Sequence, residues 1–123
     1  MRDTFTQHVA LIREALDEAA LRGGTPAGGA RMVAAAKYLD AGAVAQLVAA
    51  GVTEIGENRL PTLVEKQADP ICAGFGDRVT WNFIGRVQSR DVPELCERVT
   101  RIHSLQSQSA VRKLVAWHES TGR

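Results

Sequence analysis

Four copies of one pattern organise most of this sequence, and each copy is a short apolar run followed by the periodicity of an amphipathic helix. The runs begin near residues 31, 53, 79 and 101, so their successive spacings are 22, 26 and 22 residues. Strands that alternate with helices at this spacing are typical of parallel sheets with crossover helices. The sequence therefore predicts an α/β fold built from four βα units.

A further helix is predicted before the first unit. Thr4-Phe5-Thr6-Gln7 resembles a capping box, and apolar residues then recur every three or four positions as far as Ala20. Gly23 and Gly24 stand where glycine commonly ends a helix. The glycine-rich segment after them precedes a strand and does not join a strand to a helix, so it is not a dinucleotide-binding fingerprint.

The helices of the four units carry start and stop signals. The first is predicted to begin near Asp40 and to stop at Gly51, and the second has Pro61 in its first turn. Asp91-Val92-Pro93-Glu94 introduces the third, and Gly122 stands at the end of the fourth.

Periodicity alone leaves two α/β architectures open. A doubly wound sheet suits 123 residues, whereas a (β/α)8 barrel needs about 250 residues, so four units amount to half of one. Both architectures place their chemistry at the carboxyl ends of the strands. Polar residues end all four predicted strands, namely Lys37, Glu57-Asn58, Gly85-Arg86 and His103-Ser104.

Composition restricts the classes of partner. The chain has 15 basic and 14 acidic residues, a formal net charge of +1, which argues against nucleic-acid or anionic-membrane binding. Cys72 and Cys96 belong to no CxxC motif and are typical of reduced thiols in a cytoplasmic protein. The amphipathic, acid-containing N-terminus resembles neither a signal peptide nor a membrane span. We expect one cytoplasmic domain over residues 1–123.

Lys37 is the most informative single residue, because it directly follows the apolar run from Met32 to Ala36. A lysine at a strand end is ordinarily a solvated side chain. It can also be an amine held for covalent chemistry, since an imine forms from a neutral amine and apolar surroundings favour that form. The residues alone leave both interpretations open.

The runs VAAAK, IGENR, WNFIGRVQS and IHSLQS follow one another in this order and extend over most of the chain. Together they resemble the pyridoxal phosphate homeostasis protein family, the YggS/PROSC-like group related to the N-terminal barrel of alanine racemase. The resemblance implies parallel (β/α) repeats of the TIM-barrel type, here half of a (β/α)8 barrel preceded by a helix. It also implies that pyridoxal 5'-phosphate (PLP) is held as a Schiff base on Lys37, in a carrier or homeostasis role without established catalytic turnover.

The resemblance further implies which residues bind the cofactor: Lys37, Asn58, Gly85, Gln88, His103 and Ser104. Asn58 is expected to be oriented toward the cofactor ring, although asparagine before a helix is also common as a cap. Gly85 allows close backbone approach, and the Gln88 amide can donate and accept hydrogen bonds. His103 is interpreted as a hydrogen-bonded wall residue. No residue is predicted to be catalytic or to bind a metal.

Several positions depart from the family or have two interpretations. Asn82 stands where the family usually has histidine, which weakens any acid–base role there, and Lys37 is followed by Tyr-Leu-Asp in place of the family's usual loop. Glu57 either balances the charge of Lys37 or is exposed.

The chain ends at WHESTGR, where a fifth strand would begin, so we expect the N-terminal half of the family fold without its phosphate-binding segment.

Two other functions remain open. One is a truncated half-barrel module that associates but binds no cofactor. The other is a PLP-dependent amino-acid racemase, although the related racemases use a tyrosine base and Tyr38 directly follows Lys37. Open edges on the first and fourth strands predict a homo-oligomer, most simply a dimer. The inner face exposed by such a half barrel is predicted to include Val33, Ala35, Ile55, Phe83 and Ile102.

Overall fold

A computed structural model describes residues 2–123, with side chains from Thr4 onward. The strands are short, and two 3-10 turns cover Gly76–Arg78 and Ser89–Asp91. The helices are α1 (Arg2–Arg22), α2 (Ala41–Ala49), α3 (Leu60–Ala68), α4 (Pro70–Ala73), α5 (Val92–Arg98) and α6 (Gln108–Thr121). The strands are β1 (Val33–Ala35), β2 (Glu54–Glu57), β3 (Thr80–Phe83) and β4 (Arg101–Ile102).

The four strands form one sheet in the order β1-β2-β3-β4, and every neighbouring pair is parallel. The predicted α/β fold with parallel strands is therefore confirmed. Strand order follows chain order, whereas a doubly wound sheet reverses its order at a switch point and carries helices on both faces. The arrangement is that of half a (β/α)8 barrel.

The helices cover one face of the sheet, here called the helix face. Ile55 of β2 packs there with Val44 of α2, and Phe83 of β3 packs with Leu63 of α3 and Leu95 of α5. These two clusters form the hydrophobic core.

The opposite face, here called the open face, carries Val33 and Ala35, as predicted. The same prediction is wrong for Ile55, Phe83 and Ile102, which lie on the helix face. The strands have only two to four residues, and β2 is buried on both faces. Their sequences therefore show no alternation of polar and apolar residues from which the face of each side chain can be predicted.

Local sequence explains where the helices begin and end. The Asp40 carboxylate accepts a hydrogen bond from the Ala43 N–H at 2.8 Å and caps α2. Gly51, just beyond α2, has a φ of 100°, a conformation that favours glycine. The prediction for α1 is wrong at its start: the helix already includes Arg2, so Thr4 lies inside it and the capping box does not exist. Arginine is a good helix former, and nothing forces a break before Thr4.

The structure adds a short helix, α4, that periodicity did not predict. The Asp69 carboxylate caps it by accepting a hydrogen bond from the Ile71 N–H at 2.9 Å. Cys72 of α4 is buried, and burial, followed by the nearby negative charge of Asp69, raises the pKa of its thiol. Burial likewise raises the pKa of the Cys96 thiol on α5.

Two features were not found in the part of the chain that the structure describes. No helix there is long and apolar enough to cross a lipid bilayer. The same residues contain no cluster of three or more His, Cys, Asp or Glu side chains placed to hold a metal ion.

Candidate functional site at the carboxyl edge of the sheet

The structure places the six predicted cofactor-binding residues along the carboxyl edge of the sheet. Lys37 lies two residues beyond β1 and Gly85 two residues beyond β3. Asn58 directly follows β2, and His103 and Ser104 directly follow β4. Because all four strands are parallel, these ends share one edge. Gln88 lies a little further on, in the loop before the second 3-10 turn.

The side chain of Lys37 is exposed, and its Nζ lies 5.1 Å from the centroid of the Tyr38 ring. Tyr38 is itself 89% exposed. Of the apolar run before Lys37, only Ala36 is buried, so this run does not enclose the amine as expected from the sequence. The amine is open to solvent at the edge of the sheet.

A buried ion pair lies behind the end of β1. Glu57, the last residue of β2, is fully buried on the helix face, and its Oε2 accepts a hydrogen bond from Lys66 Nζ of α3. Both interpretations of Glu57 from sequence are therefore wrong, since it is neither exposed nor the partner of Lys37. Its other oxygen, Oε1, has no hydrogen-bond partner among the described residues.

The same ammonium group fixes the backbone next to Lys37. Lys66 Nζ also donates a hydrogen bond to the carbonyl oxygen of Ala36, the residue that precedes Lys37. Lys66 is only 7% exposed, so these two acceptors replace the water molecules that would otherwise solvate its ammonium group. The pair therefore joins β1, β2 and α3 at the point where Lys37 leaves the sheet.

Gly85 allows two loops of the edge to approach closely. A Cβ atom at Gly85 would lie 2.0 Å from the Asn58 carbonyl oxygen and 2.7 Å from the Asn58 Cα. Only glycine fits such an approach, which is made by the Asn58 backbone. The cap of α3 is Arg59, so the alternative interpretation of Asn58 as a helix cap is wrong. The half-buried Asn58 and the exposed Gln88 instead line a common cleft of about 300 Å³.

A polar network runs across the open face and ends at His103. Asn82 is fully buried, and its Nδ2 donates to Glu54 Oε1 at 3.0 Å. A carboxylate only accepts, so the Asn82 Oδ1 is directed at His103 Nε2, 2.8 Å away, and that nitrogen carries the proton. Arg101 donates to Glu54 Oε1 at 2.5 Å and balances its charge. His103 is thus a hydrogen-bonded residue, as the sequence interpretation had it.

Ser104 connects the end of β4 with the loop after β3. Its Oγ lies 3.5 Å from the carbonyl oxygen of Ile84, at the upper limit for a hydrogen bond. Ser104 is half-buried, and this long contact leaves most of the hydrogen-bonding capacity of its hydroxyl unused.

Sequence reasoning missed Lys66 and Glu54. A signal for Lys66 was present, because it falls three residues after Leu63 on the buried side of α3 and thus interrupts an apolar stripe with a charge. Nothing in the sequence indicated a role for Glu54, because β2 shows no alternation from which the face that Glu54 occupies could be predicted.

Comparisons with known proteins support the fold. No family model matches the chain. The pyridoxal phosphate homeostasis protein of Pseudomonas aeruginosa is 29% identical over 112 residues, which are 90% of this chain and 46% of that protein. PipY of Synechococcus elongatus, solved with PLP bound, is 30% identical with a TM-score of 0.66, over 91% of this chain and 50% of PipY.

These matches support a relationship of the chain to the pyridoxal phosphate homeostasis protein family. The chain also resembles a structure of an unknown protein from Bifidobacterium adolescentis, with 26% identity and a TM-score of 0.82 over 98% of this chain and 52% of that one. The chain spans about half the length of these relatives. This coverage agrees with the half of the family fold that the sequence predicted.

Replacing Lys66 by Met should destabilise the protein strongly. Glu57 would be left as a buried charge without its partner, which typically costs about 3–5 kcal/mol. Lys113 on α6 is exposed, and Lys113→Met should change the free energy of unfolding by about 0.5 kcal/mol or less. Urea unfolding of both variants checks this. Equal effects at the two lysines would contradict the role of the buried pair.

Replacing Gly85 by Ala should force the Asn58 backbone away. Overpacking of this kind costs about 1–3 kcal/mol. Gly42 in α2 is a matched control, because a Cβ there meets only Asp40 Oδ1 at an ordinary 3.5 Å. Gly42→Ala should be neutral or stabilise by up to about 1 kcal/mol. The free energies of unfolding of the two variants should therefore change in opposite directions or differ clearly in size.

Proposed function

We propose that this chain binds PLP as a Schiff base on Lys37 and serves in PLP homeostasis as a carrier and not as an enzyme. The observation that carries the proposal is the exposed Lys37 amine at the carboxyl edge, next to a backbone that the Lys66–Glu57 pair fixes. The PLP-bound structure of PipY and the name of the Pseudomonas aeruginosa relative support it. We place the protein in the cytoplasm, consistent with its two free thiols.

The donor set at the edge fits this cofactor. PLP, when bound, supplies an aldehyde that condenses with an amine. Lys37 offers an accessible primary amine, and the amides of Asn58 and Gln88 offer donors and acceptors along the neighbouring cleft. Ser104 adds a hydroxyl from the end of β4. These groups are of the kind that orients a polar aromatic ring.

Each residue has a distinct part in the proposed site. Lys37 forms the covalent attachment, and Asn58 and Ser104 orient the ring by hydrogen bonds. Gly85 acts indirectly, because any side chain there would displace the Asn58 backbone. His103 forms part of the wall, with its Nε2–H bound to Asn82.

A carrier role also agrees with the surroundings of Tyr38. A racemase base must be held against the reacting carbon, whereas Tyr38 is 89% exposed and its ring contacts the neighbouring Lys37. Holding PLP without turnover requires attachment and orientation but no positioned proton acceptor.

Lys37 should be the one lysine that PLP labels selectively. The chain has three lysines, Lys37, Lys66 and Lys113, and of these Lys66 is buried in its ion pair. Incubation with PLP should give an imine absorbance band at the edge of the visible range. Borohydride reduction followed by peptide mass spectrometry should find the label on Lys37, and Lys37→Ala should abolish it.

Lys113 is the matched control, because it is also exposed but lies on α6. Lys113→Ala should leave the labelling unchanged, and equal labelling of Lys37 and Lys113 would contradict the proposal. Asn58→Ala and Ser104→Ala should weaken PLP binding while changing stability by about 1 kcal/mol or less. A collapse of stability with normal PLP binding would instead assign these two residues to the fold.

We also propose that the chain forms a homo-oligomer, most simply a dimer. Within the described residues β1 and β4 each pair with one neighbour only, so each leaves a free edge. Val33 and Ala35 on the open face lack an opposing wall. Two copies related by a twofold axis would pair each free edge with the partner's opposite edge and complete eight strands.

Light scattering over a dilution series should show a species of twice the 13.3 kDa chain mass that dissociates at low concentration. Dissociation should be accompanied by loss of cooperative melting, because it exposes the free strand edges and the open face to solvent. A sharply melting monomer at micromolar concentration would contradict the dimer.

A further inference from the structure

A basic cleft lies at the carboxyl edges of β2 and β3, beside the proposed Lys37 site. It has a volume of about 300 Å³ and is enclosed by the loop before α3 and the loop before α5. Its polar lining consists of Arg59, Arg86, Arg90, Asn58, Gln88 and Asp91. Three of these six side chains are guanidinium groups.

The positive charge of this cleft is almost unopposed. Within the described residues, neither Arg59 nor Arg86 has a carboxylate oxygen within 4.0 Å. Arg90 has only Asp91, at 3.9 Å, and its side chain is 81% exposed. The lining therefore carries three positive charges and one negative charge, in a chain whose total formal charge is only +1.

The backbone at the start of α3 adds to the positive charge of the cleft. The cleft contains the N-terminus of α3, a helix of nine residues whose cap residue, Arg59, provides no side-chain hydrogen bond. The first N–H groups of a helix carry partial positive charge and favour an anion, although Pro61 in the first turn of α3 contributes no N–H. The amides of Asn58 and Gln88 supply further donors.

We propose that this cleft binds a phosphate group. Guanidinium groups form paired, charge-assisted hydrogen bonds with the oxygens of a tetrahedral anion, and a cleft of this volume admits a small phosphorylated molecule. The site does not depend on the covalent chemistry of Lys37. The phosphate can belong to PLP itself or to a separate phosphorylated ligand.

Calorimetric titration of the full chain with inorganic phosphate and pyrophosphate tests the site. Both should bind saturably, pyrophosphate more tightly, and binding should weaken as KCl is raised, because the contacts are ionic. Arg59→Gln and Arg86→Gln should each lower the affinity by roughly tenfold, in line with the strength of charge-assisted bonds. Arg22→Gln, an exposed arginine at the end of α1, removes the same charge elsewhere and should have no effect.

Competition identifies the source of the phosphate. Displacement of pyrophosphate by PLP but not by pyridoxal, in the Lys37→Ala variant, assigns the cleft to the phosphate of PLP. Simultaneous binding of pyrophosphate and PLP to the wild-type chain assigns it to a second ligand. Both results support the anion site.

Three results would overturn it: no saturable binding up to about 10 mM, unchanged affinity in both arginine variants, or the same loss in Arg22→Gln. Circular dichroism of each variant establishes that it is folded, and Arg90→Gln replaces any variant that is not. Failure of the proposed PLP function looks different, because Lys37 labelling would then be absent while pyrophosphate still binds.

Discussion

The buried contact between Glu57 and Lys66 is the interaction on which the arrangement of the carboxyl edge depends. It joins a carboxylate at the end of β2, an ammonium group in α3 and the Ala36 carbonyl after β1. Two charges removed from water are tolerated only if their geometry is maintained, so the three elements are held in one mutual position. The apolar cores on either side of this contact stabilise the sheet without specifying where β1 ends. The ion pair thereby fixes the backbone from which the long side chain of Lys37 extends.

The two faces of the sheet differ in chemistry as well as in cover. The helix face carries the two apolar clusters together with the ion pair of Glu57 and Lys66, whereas the open face carries the connected polar side chains of Glu54, Asn82 and Arg101. A buried amide between a carboxylate and an imidazole has only one satisfactory orientation, in which the amide oxygen of Asn82 accepts from His103 Nε2. The open face therefore orients His103 at the carboxyl edge, and the helix face fixes the end of β1 through the Glu57–Lys66 pair.

Sequence alone predicted the parts of this fold that depend on local chemistry. Spacing predicted the parallel strands, and Asp40 and Pro61 predicted helix starts that the structure confirms. Strand facing was not predictable, because β2 is buried on both faces and its residues show no alternation. The pairing of Glu57 with Lys66 could not be predicted either, because a contact between residues nine positions apart depends on how α3 packs against β2. Family resemblance, and not periodicity, favoured the half barrel over a doubly wound sheet.

The contact between Gly85 and Asn58 has a mechanical consequence. Side chains in contact can yield by changing rotamer, but this contact is made by the main chain on one side and by the absence of a side chain on the other. The loops that follow β2 and β3 therefore have little room to approach each other, and a displacement of either one toward the other must move both.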